Sequence, residues 1–430
     1  MIFTSRQFYL FSGYHSLLIG LLPFFLPILL WESGASLSII SGFIALTAVS
    51  FIATLWCWDR LRYSGMWRSI ILLSFLLEML MVIVLTVAEG LLTFACLAWL
   101  NGAYSCFYWS THRVMFSEAT SQENTGKTFG NMQIIVVVLL KLGIIAGAYL
   151  LENQGMSAIV LSSAAIASLA LLNLISINHW NLRSATSEKQ TRPLTINNVK
   201  SFNDSNNSKF IFLLDGPFLF LESYFWILSL YLISGSSYLT LGIIVVSLTA
   251  LLSMLFFFIK NRIDQANSQR IFAGAVLLYA LSWLLRGNID IGGSGVALYA
   301  MVLVIAFMTT FFRLAFNKRF FDIAKSYTSH EYIILKSYYS QFGIAVCFGI
   351  ASLLFAFVIS ADSKQLLTAM YWLACPIALA YGVYAHRLFS TLSLSPSSTR
   401  HSVDDNATGE DWAGHNNRAI NRSLQLQDSR

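Results

Sequence analysis

Charged residues are scarce in this chain. Only 11% of its 430 residues are Asp, Glu, Lys or Arg, whereas 56% are hydrophobic. Soluble domains carry charge on about a quarter of their residues. The composition therefore excludes an ordinary soluble domain and indicates a membrane protein surrounded by a lipid bilayer.

Motifs of nucleotide-driven and hydrolytic chemistry are also missing. Without a G-x-x-x-x-G-K-[ST] loop, direct coupling to nucleotide hydrolysis is not expected. His330-Glu331 lacks the second histidine of an H-E-x-x-H zinc site, and no G-x-S-x-G elbow is present. We therefore expect that the protein is not an enzyme and that it binds no cofactor and no metal. An intramembrane enzyme is the weaker alternative. A channel would repeat one pore element with polar rings, which the sequence does not show.

Cysteine is sparse and follows no pattern. The five cysteines are scattered through apolar segments without C-x-x-C spacing, so we interpret them as packing residues rather than disulfide or metal ligands. Basic residues outnumber acidic ones by 27 to 21, but they lie at the ends of apolar runs rather than in one patch. This distribution argues against a nucleic-acid partner and favours a role in membrane orientation.

Long apolar runs recur along the whole sequence. Each is long enough to cross the roughly 30 Å hydrocarbon core as a helix. The sequence predicts twelve spanning helices, at 8–31, 37–57, 69–88, 91–112, 130–151, 157–178, 210–232, 238–259, 271–287, 294–316, 335–360 and 366–388. The first run is too long for a signal-peptide core and no small-residue cleavage site follows it, so we expect it to be retained.

Lysine and arginine predict the orientation of these helices. Nearly all of them fall in one set of alternate loops, such as Arg60, Arg62 and Arg68 after the second helix. The opposite loops carry only Arg286 and Lys364. Because basic loops stay on the cytoplasmic side, both termini are predicted to be cytoplasmic. We expect a multi-pass protein of a bacterial inner (plasma) membrane.

A polar segment divides the twelve predicted helices into six and six. It covers 179–209 and is rich in Ser, Asn, Lys and Thr, so it cannot bury enough apolar surface to fold alone. We predict a flexible cytoplasmic linker between an N-terminal half, 1–178, and a C-terminal half, 210–390. The tail, 391–430, has a similar composition and is predicted to be a disordered cytoplasmic segment.

The two predicted halves resemble each other at an offset near 200 residues. The matched positions are Gly42 with Gly242, His15 with Asp215, and Asp59-Arg60 with Asn261-Arg262. Together with the six-plus-six arrangement and the basic central loop, this repeat resembles the major facilitator superfamily of secondary transporters over residues 1–390. The resemblance implies an all-α integral membrane fold of two pseudo-symmetric six-helix halves, and we expect a monomer.

Two motifs of that family are only partly present. The family loop between helices 2 and 3 carries G-x-x-x-D-R-x-G-R-R; Asp59-Arg60 match its acidic-basic pair, whereas Leu55 and Arg62 occupy its two glycine positions. The resemblance implies that Asp59 and Arg60 form a cytoplasmic charge latch. The fifth helix of drug/proton antiporters in the family carries G-P-x-x-G-G, and residues 143–148, GIIAGA, lack the proline. No transport direction follows from it.

Ionisable residues inside the predicted helices are candidates for function, because a charge at bilayer depth costs about 2.5–3.5 kcal/mol. Lys141 lies midway along the fifth helix, where it either attracts an anionic solute or pairs with a carboxylate such as Glu222. Glu222 and Asp215 lie two helical turns apart and share one face of the seventh helix. We predict that Glu222 carries a proton and that Asp215 relays it; the alternative is that both are structural acids.

His15 is a third candidate for proton coupling. It lies in the first helix and titrates in the useful pH range, but a histidine among polar neighbours can also be a satisfied structural residue. Glu78, in the third helix, is expected to pair laterally with a neighbouring helix.

Two arginines are predicted to act in gating. Arg113 and Arg313, placed at the inner ends of helices 4 and 10, are expected to snorkel or to pair with Glu118 and Asp322 as latches. Direct contact of either arginine with solute is the alternative.

Aromatic side chains complete the predicted solute site. Tyr108, Trp109 and Trp226 could stack on a planar solute. Packing against lipid explains most aromatic residues in a chain that is 14% aromatic.

The family resemblance implies a secondary active transporter that works by alternating access, and the buried charges predict a small anionic organic solute and coupling to protons. Three strings, WDRLRYSGMWR, NGAYSCFYWSTHR and NTGKTFGNMQIIVVVLLKLGIIAG, are similar to facilitator-type exporters associated with bacterial siderophores. Export is therefore the preferred direction, and import of a nutrient or metal chelate is the alternative. A receptor or assembly protein that keeps the fold without transporting is a third hypothesis.

Overall fold

Long helices make up the described part of the chain. The computed structural model describes residues 5–86, 90–119, 125–175, 192–204, 206–265, 268–289, 295–324, 329–357 and 362–386. Within these ranges, the side chains of 5–6, 117–133, 175, 256–269, 321–322, 329–330 and 385–386 lie outside the described part.

The helices are numbered in chain order. Helices α1 to α16 are Ser5–Leu21, Leu26–Glu32, Leu37–Tyr63, Trp67–Thr86, Gly90–Ala119, Thr125–Asn153, Met156–Ile175, Ile196–Ser201, Ser208–Phe220, Trp226–Ile233, Tyr238–Gln265, Ser268–Gly287, Val296–Ala324, Ser329–Phe357, Ser363–Ala378 and Val383–His386. Short 3₁₀ turns join α1 to α2 and α15 to α16, and a π-helical turn at Leu221–Phe225 joins α9 to α10.

The twelve predicted spans are confirmed. Among the residues that the structure describes, twelve helical segments are long and apolar enough to cross a membrane, and each coincides with a predicted run. The chain is therefore an integral multi-pass membrane protein. The prediction ended α5 and α13 too early, at 112 and 316, whereas they continue to Ala119 and Ala324.

The alternating helices give the bundle two ends. One end holds Asp59, near the last turn of α3, and the other holds Glu32, the last residue of α2. We call them the Asp59 end and the Glu32 end. The Asp59 end is the one that the basic loops predict to be cytoplasmic.

Caps and prolines set the bounds of individual helices. The side chain of Ser36 accepts a hydrogen bond from the Ile39 N–H and begins α3. Pro23 opens a 3₁₀ turn after α1, because its ring removes a backbone donor. Pro217 lies inside α9 and precedes the π-helical turn, in which the Trp226 N–H donates to the carbonyl oxygen of Leu221, five residues earlier.

Glycines let pairs of helices approach at backbone distance. A Cβ atom added at Gly143 of α6 would lie 2.3 Å from the carbonyl oxygen of Leu17 in α1. One added at Gly343 of α14 would lie 2.1 Å from the carbonyl oxygen of Leu213 in α9. Small residues that allow such contacts are typical of packing between membrane helices. They hold α6 against α1 and α14 against α9.

The first six spanning segments meet the last six at the Glu32 end. Ser38 and Ser352 exchange two hydrogen bonds of 2.7 and 2.9 Å, each hydroxyl donating to the carbonyl oxygen of the other residue. The Glu32 carboxylate accepts hydrogen bonds from the hydroxyls of Tyr231 and Tyr238. These contacts hold this end of the bundle together.

Residues 192–204, which we call the strap, lie across the Asp59 end. The Leu194 N–H donates to an Asp59 carboxylate oxygen at 2.9 Å. The carbonyl oxygen of Val199 accepts a hydrogen bond from the Tyr339 hydroxyl. The strap thus connects α3 with α14.

The strap differs from the flexible linker that the sequence predicted. It contains the short helix α8, which begins after the capping side chain of Thr195. Leu194, Val199 and Phe202 pack against the core of the bundle. A polar segment that cannot fold alone can dock when a few apolar side chains find an existing surface, and these three side chains do so. The predicted linker residues before the strap, 179–191, lie outside the described part.

We predict that only one of two alanine substitutions in α14 destabilises the protein. Gly343→Ala forces a Cβ atom against the Leu213 carbonyl oxygen, and overpacking of this kind costs about 1–3 kcal/mol. Gly349→Ala is the matched control, because a Cβ atom there would meet nothing within 4 Å. Thermal unfolding of the purified protein in detergent should show a lower midpoint for Gly343→Ala only. Equal midpoints for the two variants would contradict the close approach of α9 and α14.

Candidate functional site

Arg313 of α13 binds two carboxylates inside the last six spanning segments. Its NH1 atom lies 2.6 Å from Asp215 Oδ1. Its Nε and NH2 atoms donate to the two carboxylate oxygens of Glu222 at 3.1 and 3.0 Å. Asp215 is 1% exposed, and Glu222 and Arg313 are 17% and 16% exposed. This is a partly buried, bidentate arginine–carboxylate pair with a second acid attached.

Further polar side chains complete the coordination of both acids. The Tyr279 hydroxyl donates to Glu222 at 2.5 Å. The Tyr381 hydroxyl donates to Asp215 at 3.2 Å, and Lys336 Nζ lies 3.1 Å from the other Asp215 oxygen. The two tyrosine hydroxyls and the lysine thus add to the contacts that Arg313 makes with the two carboxylates. We call Asp215, Glu222, Arg313, Lys336, Tyr279 and Tyr381 the charge network.

The seventh span brings the two acids of the charge network together. Asp215 lies in α9 and Glu222 in the π-helical turn, seven residues later. The predicted common face is supported, because both side chains reach Arg313. Glu222 lies about 16 Å from the end of the span at Ile233, at 1.5 Å per residue.

The structure corrects the predicted place of Arg313. It lies 11 residues before Ala324, the end of α13, and so about 16 Å from that end of the helix. The sequence prediction ended the helix at 316 and therefore placed the arginine beside the loop. Arg313 pairs with the acids of the seventh span, and the side chain of its predicted partner Asp322 lies outside the described part.

Lys336 was missed as a site residue for a similar reason. The predicted eleventh span began at 335, which put this lysine at a helix end, whereas α14 begins at Ser329. Lys336 therefore lies about 10 Å inside the helix. Only the apolar residues that precede it in sequence, Tyr332 to Leu335, could have signalled the longer helix.

Arg286 is a further buried cation, which the sequence analysis assigned to an outer loop. It is 1% exposed and lies in the last turn of α12. Its guanidinium donates to the hydroxyls of Ser282 and Thr309, both at 2.8 Å. It stacks against the rings of Trp226 and Trp283, at 4.8 and 4.3 Å from the ring centres. Within the described residues it has no ion-pair partner.

The cations of this region outnumber its acids. Arg286, Arg313 and Lys336 carry three positive charges, whereas Asp215 and Glu222 carry two negative charges. An uncompensated charge is expensive in a low-dielectric interior. The region is therefore electrostatically suited to a further negative group.

The first six spanning segments contain a different charged pair. His15 of α1 and Glu78 of α4 are 0% and 1% exposed, with Nδ1 2.9 Å from a carboxylate oxygen. The His15 ring also stacks on Phe75. The prediction that Glu78 pairs laterally is supported, and His15 has the partners of a satisfied structural residue.

The hydrogen bonds around His15 and Glu78 restrict where protons can lie on these two side chains. The Ser74 hydroxyl donates to the Ile71 carbonyl oxygen at 2.7 Å and lies 3.0 Å from His15 Nε2. Its one hydrogen is used, so Nε2 must donate. A single proton then lies between Nδ1 and Glu78. Imidazolium with carboxylate, or imidazole with carboxylic acid, is neutral overall.

Lys141 has no partner among the described side chains. It lies in α6, 12 residues before Asn153, and is partly buried. No hydrogen bond or ion pair joins it to any described residue, so the predicted pairing with Glu222 does not occur: Glu222 binds Arg313. Ala148, two turns further along the same face of α6, packs against Gly242 of α11. Lys141 therefore lies on the stripe of α6 that faces the last six segments.

Arg113 links the two groups of helices nearer the Asp59 end. Its NH1 atom donates to the Ser337 hydroxyl of α14 at 2.9 Å. The side chain of Glu118, its predicted partner, lies outside the described part of the chain.

The predicted latch pair Asp59-Arg60 is not joined. The Asp59 carboxylate binds Arg62 at 2.7 Å, and the Arg60 guanidinium lies 3.4 Å above the centre of the Trp56 ring. Residues three apart on a helix lie on one side of it, whereas neighbouring residues point apart. The carboxylate of Asp59 thus binds a residue of its own helix, α3, and the backbone of the strap.

The predicted aromatic residues have three different surroundings. Tyr108 is 1% exposed and packs against Phe11 and His15. Trp109 is 40% exposed and lies edge-on against Tyr108. Trp226 is 7% exposed and covers Arg286. Of the three, only Trp226 lies beside the buried charges of the last six segments.

Tyr224 connects the charge network to the first six segments. It belongs to the same π-helical turn as Glu222, and its hydroxyl accepts a hydrogen bond from the Asn101 side-chain amide of α5 at 3.2 Å. A π turn often marks a functional site because it redirects consecutive side chains. Here Glu222 faces Arg313 while Tyr224 faces α5, so one turn carries an acid of the charge network and a contact between the two groups of helices.

Comparison with known proteins shows the fold. No family model and no curated protein matches the chain. The solved structure of the nucleoside transporter NupG aligns with a TM-score of 0.63 at 12% identity, covering 90% of this chain and 98% of that one. The POT family transporter PepTSo aligns at 0.60 and 14% identity, covering 91% and 97%. A POT family transporter in complex with 5-aminolevulinic acid aligns at 0.56 and 13% identity, covering 89% and 96%.

We predict strong coupling between Arg313 and Glu222 in a double-mutant cycle. Arg313→Gln leaves two carboxylates without their arginine, and breaking one side of a buried pair costs about 3–5 kcal/mol. Adding Glu222→Gln removes one of those charges, so the double variant should unfold at a higher temperature than Arg313→Gln. Arg270→Gln, an exposed arginine of α12, is the control and should change little. Additive effects of the two substitutions would contradict the pairing.

Proposed function

We infer from the major facilitator fold of this chain and from its buried charges that it is a secondary active transporter for a small anionic organic solute. The fold is shared with the nucleoside and POT family transporters. The observation that carries the anionic class is the excess of buried cations. Lys141 has no acidic partner among the described side chains, and Arg286 has none either.

Lys141 is the proposed first contact of the solute. A cation without a partner near the middle of a helix can attract a carboxylate strongly, because the surrounding dielectric constant is low. Its place on the stripe of α6 that faces α11 puts it where the two groups of helices meet. Trp226, beside Arg286, is the proposed aromatic wall. Tyr108 is too deeply packed to line the same space, and Trp109 is accessible.

Glu222 is the proposed proton carrier. In its ionised form it holds Arg313 and Tyr279. A proton on Glu222 would cancel the charge that binds Arg313, which would then depend on Asp215 alone. Asp215 is the proposed relay, since it shares Arg313 with Glu222 and lies nearer the Asp59 end. His15 takes part only if its pair with Glu78 gains or loses a proton as a unit.

Alternating access would occur between residues 1–178 and 210–390 as moving halves. Contacts at both ends would have to break in turn: Glu32 with Tyr231 and Tyr238 at one end, and Arg113 with Ser337 at the other. We propose that one copy of the chain suffices, in a bacterial inner membrane with the Asp59 end in the cytoplasm.

Export remains the proposed direction and a siderophore a candidate solute, both on the sequence strings alone. Import is the competing direction. The complex of a POT family transporter with 5-aminolevulinic acid suggests a small probe that carries a carboxylate and an amine. A suitable panel is 5-aminolevulinic acid, dialanine, uridine and 2,3-dihydroxybenzoate.

We predict that a pH gradient drives solute movement through wild-type protein in vesicles and that Glu222→Gln abolishes accumulation. The glutamine cannot bind and release a proton, while solute exchange without a gradient should survive. Glu331→Gln, at the start of α14, is the isosteric control. Full accumulation by Glu222→Gln would contradict the proton role. If no probe moves in either direction through wild type, the transporter proposal fails and a non-transporting receptor becomes the better account.

Lys141→Ala should weaken binding of the transported anionic probe at least ten-fold, because the loss of one charge contact in a low-dielectric site exceeds about 1.4 kcal/mol. Binding of uncharged uridine, if uridine binds, should change little. Lys318→Ala, an exposed lysine near the end of α13, is the matched control. Undiminished affinity for the anionic probe in Lys141→Ala would overturn the lysine role while leaving transport itself intact.

A further inference from the structure

A cleft of about 300 Å³ lies at the Asp59 end, outside the charge network. One wall is the last part of α3, with Trp56, Asp59 and Arg60. The opposite wall is the first part of the strap, from Pro193 to Asn197. Because its walls come from a spanning helix and from the strap, any ligand in it would touch both.

Of the charged residues that line the cleft, Arg60 has no acidic partner among the described residues. Both carboxylate oxygens of Asp59 are occupied, one by Arg62 and the other by the Leu194 N–H. The Arg60 guanidinium stacks on Trp56 and has no acidic partner within the described residues. The side-chain amide of Asn197, on the strap wall, likewise has no hydrogen bond to a described residue. The cleft therefore offers hydrogen-bond donors and a net positive charge, and its acid is not free to bind a cationic group.

The exposed face of α3 indicates the depth at which the cleft lies. Val49, Ala53 and Trp56 follow one another at helical spacing and are exposed on the bundle surface, as expected of a face in contact with acyl chains. One turn later the same face carries Arg60. A change from apolar residues to tryptophan and then arginine is typical of the level of lipid headgroups.

We propose that this cleft binds the phosphate-bearing headgroup of an anionic phospholipid. Arg60 and Asn197 donate to the phosphate oxygens from opposite walls, and Trp56 lies against the glycerol region. An anionic lipid fits better than a choline lipid, because Asp59 is already neutralised. A soluble phosphate ester shares the phosphate chemistry but lacks acyl chains to lie along Val49 and Ala53.

A lipid bound at this site would contact the segment that connects α3 with α14 at the Asp59 end. The strap is attached to α3 through Asp59 and to α14 through Tyr339. A headgroup seated between the strap and α3 would add contacts to the α3 side of this connection. Bound lipid would then slow the separation of α3 and α14 at this end.

Native mass spectrometry of the purified, delipidated full-length chain tests the site. Phosphatidylglycerol should bind wild-type protein and Arg68→Gln alike, since Arg68 is an exposed residue near the same end, outside the cleft. Arg60→Gln should bind about five-fold more weakly, in line with one basic residue at an anionic surface. Arg60→Lys should recover most of the affinity, and Asn197→Asp should lose affinity by repulsion from the opposite wall.

Several outcomes would overturn the proposal. Equal binding of phosphatidylcholine and phosphatidylglycerol would show that the site does not require an anionic lipid. Unchanged lipid affinity in both Arg60→Gln and Asn197→Asp would exclude the cleft as the binding site. Displacement of the lipid by an equal concentration of glycerol phosphate would assign the site to a soluble phosphate anion instead. Circular dichroism of each variant separates loss of the site from loss of the fold.

Discussion

Arg313 binds two carboxylates of one helix at the same time, and the core of the last six spanning segments depends on this contact. In a low-dielectric interior neither Asp215 nor Glu222 could remain charged alone. Tyr279 and Tyr381 donate to carboxylate oxygens that the arginine also binds, and Lys336 lies 3.1 Å from the one Asp215 oxygen that the arginine leaves free. Each comes from a different helix, so the packing of α9, α12, α13 and α14 and the turn after α15 is tied to the ionisation of two side chains.

The π-helical turn places two side chains of the seventh span toward different neighbours. Glu222 contacts Arg313 and Tyr224 contacts Asn101, so an acid of the charge network and a contact between the two groups of helices share five residues of backbone. The helix before the turn is held rigidly, because Gly216 approaches the carbonyl oxygen of Ser340 so closely. The close contact with α14 thus lies before the turn, and the contact with α5 lies within it.

The sequence predicted the helices well and the partners poorly, and both results have physical reasons. Membrane spans are long and apolar, so composition alone reveals them. The common face of Asp215 and Glu222 follows from helical periodicity. The partners of Lys141 and Arg313 do not, since they depend on which helices lie side by side. The predicted tenth helix ended at 316 instead of Ala324, which placed Arg313 at a helix end rather than in the middle of α13. Arg286 was missed because the orientation argument counted it among the residues of the outer loops, whereas its side chain is buried.

Each of the two groups of helices holds paired charges and one cation that has no acid among the described residues. His15 and Glu78 form a pair that is neutral in either arrangement of its proton, so an added anion would gain nothing from it. In the last six segments Arg286 remains without an acid among the described residues, and in the first six Lys141 does too. A fully compensated pair stabilises one structure. The free energy of an uncompensated buried cation falls when an anion binds to it. Under the proposed function, an anionic solute would use this difference to shift the equilibrium between two conformations.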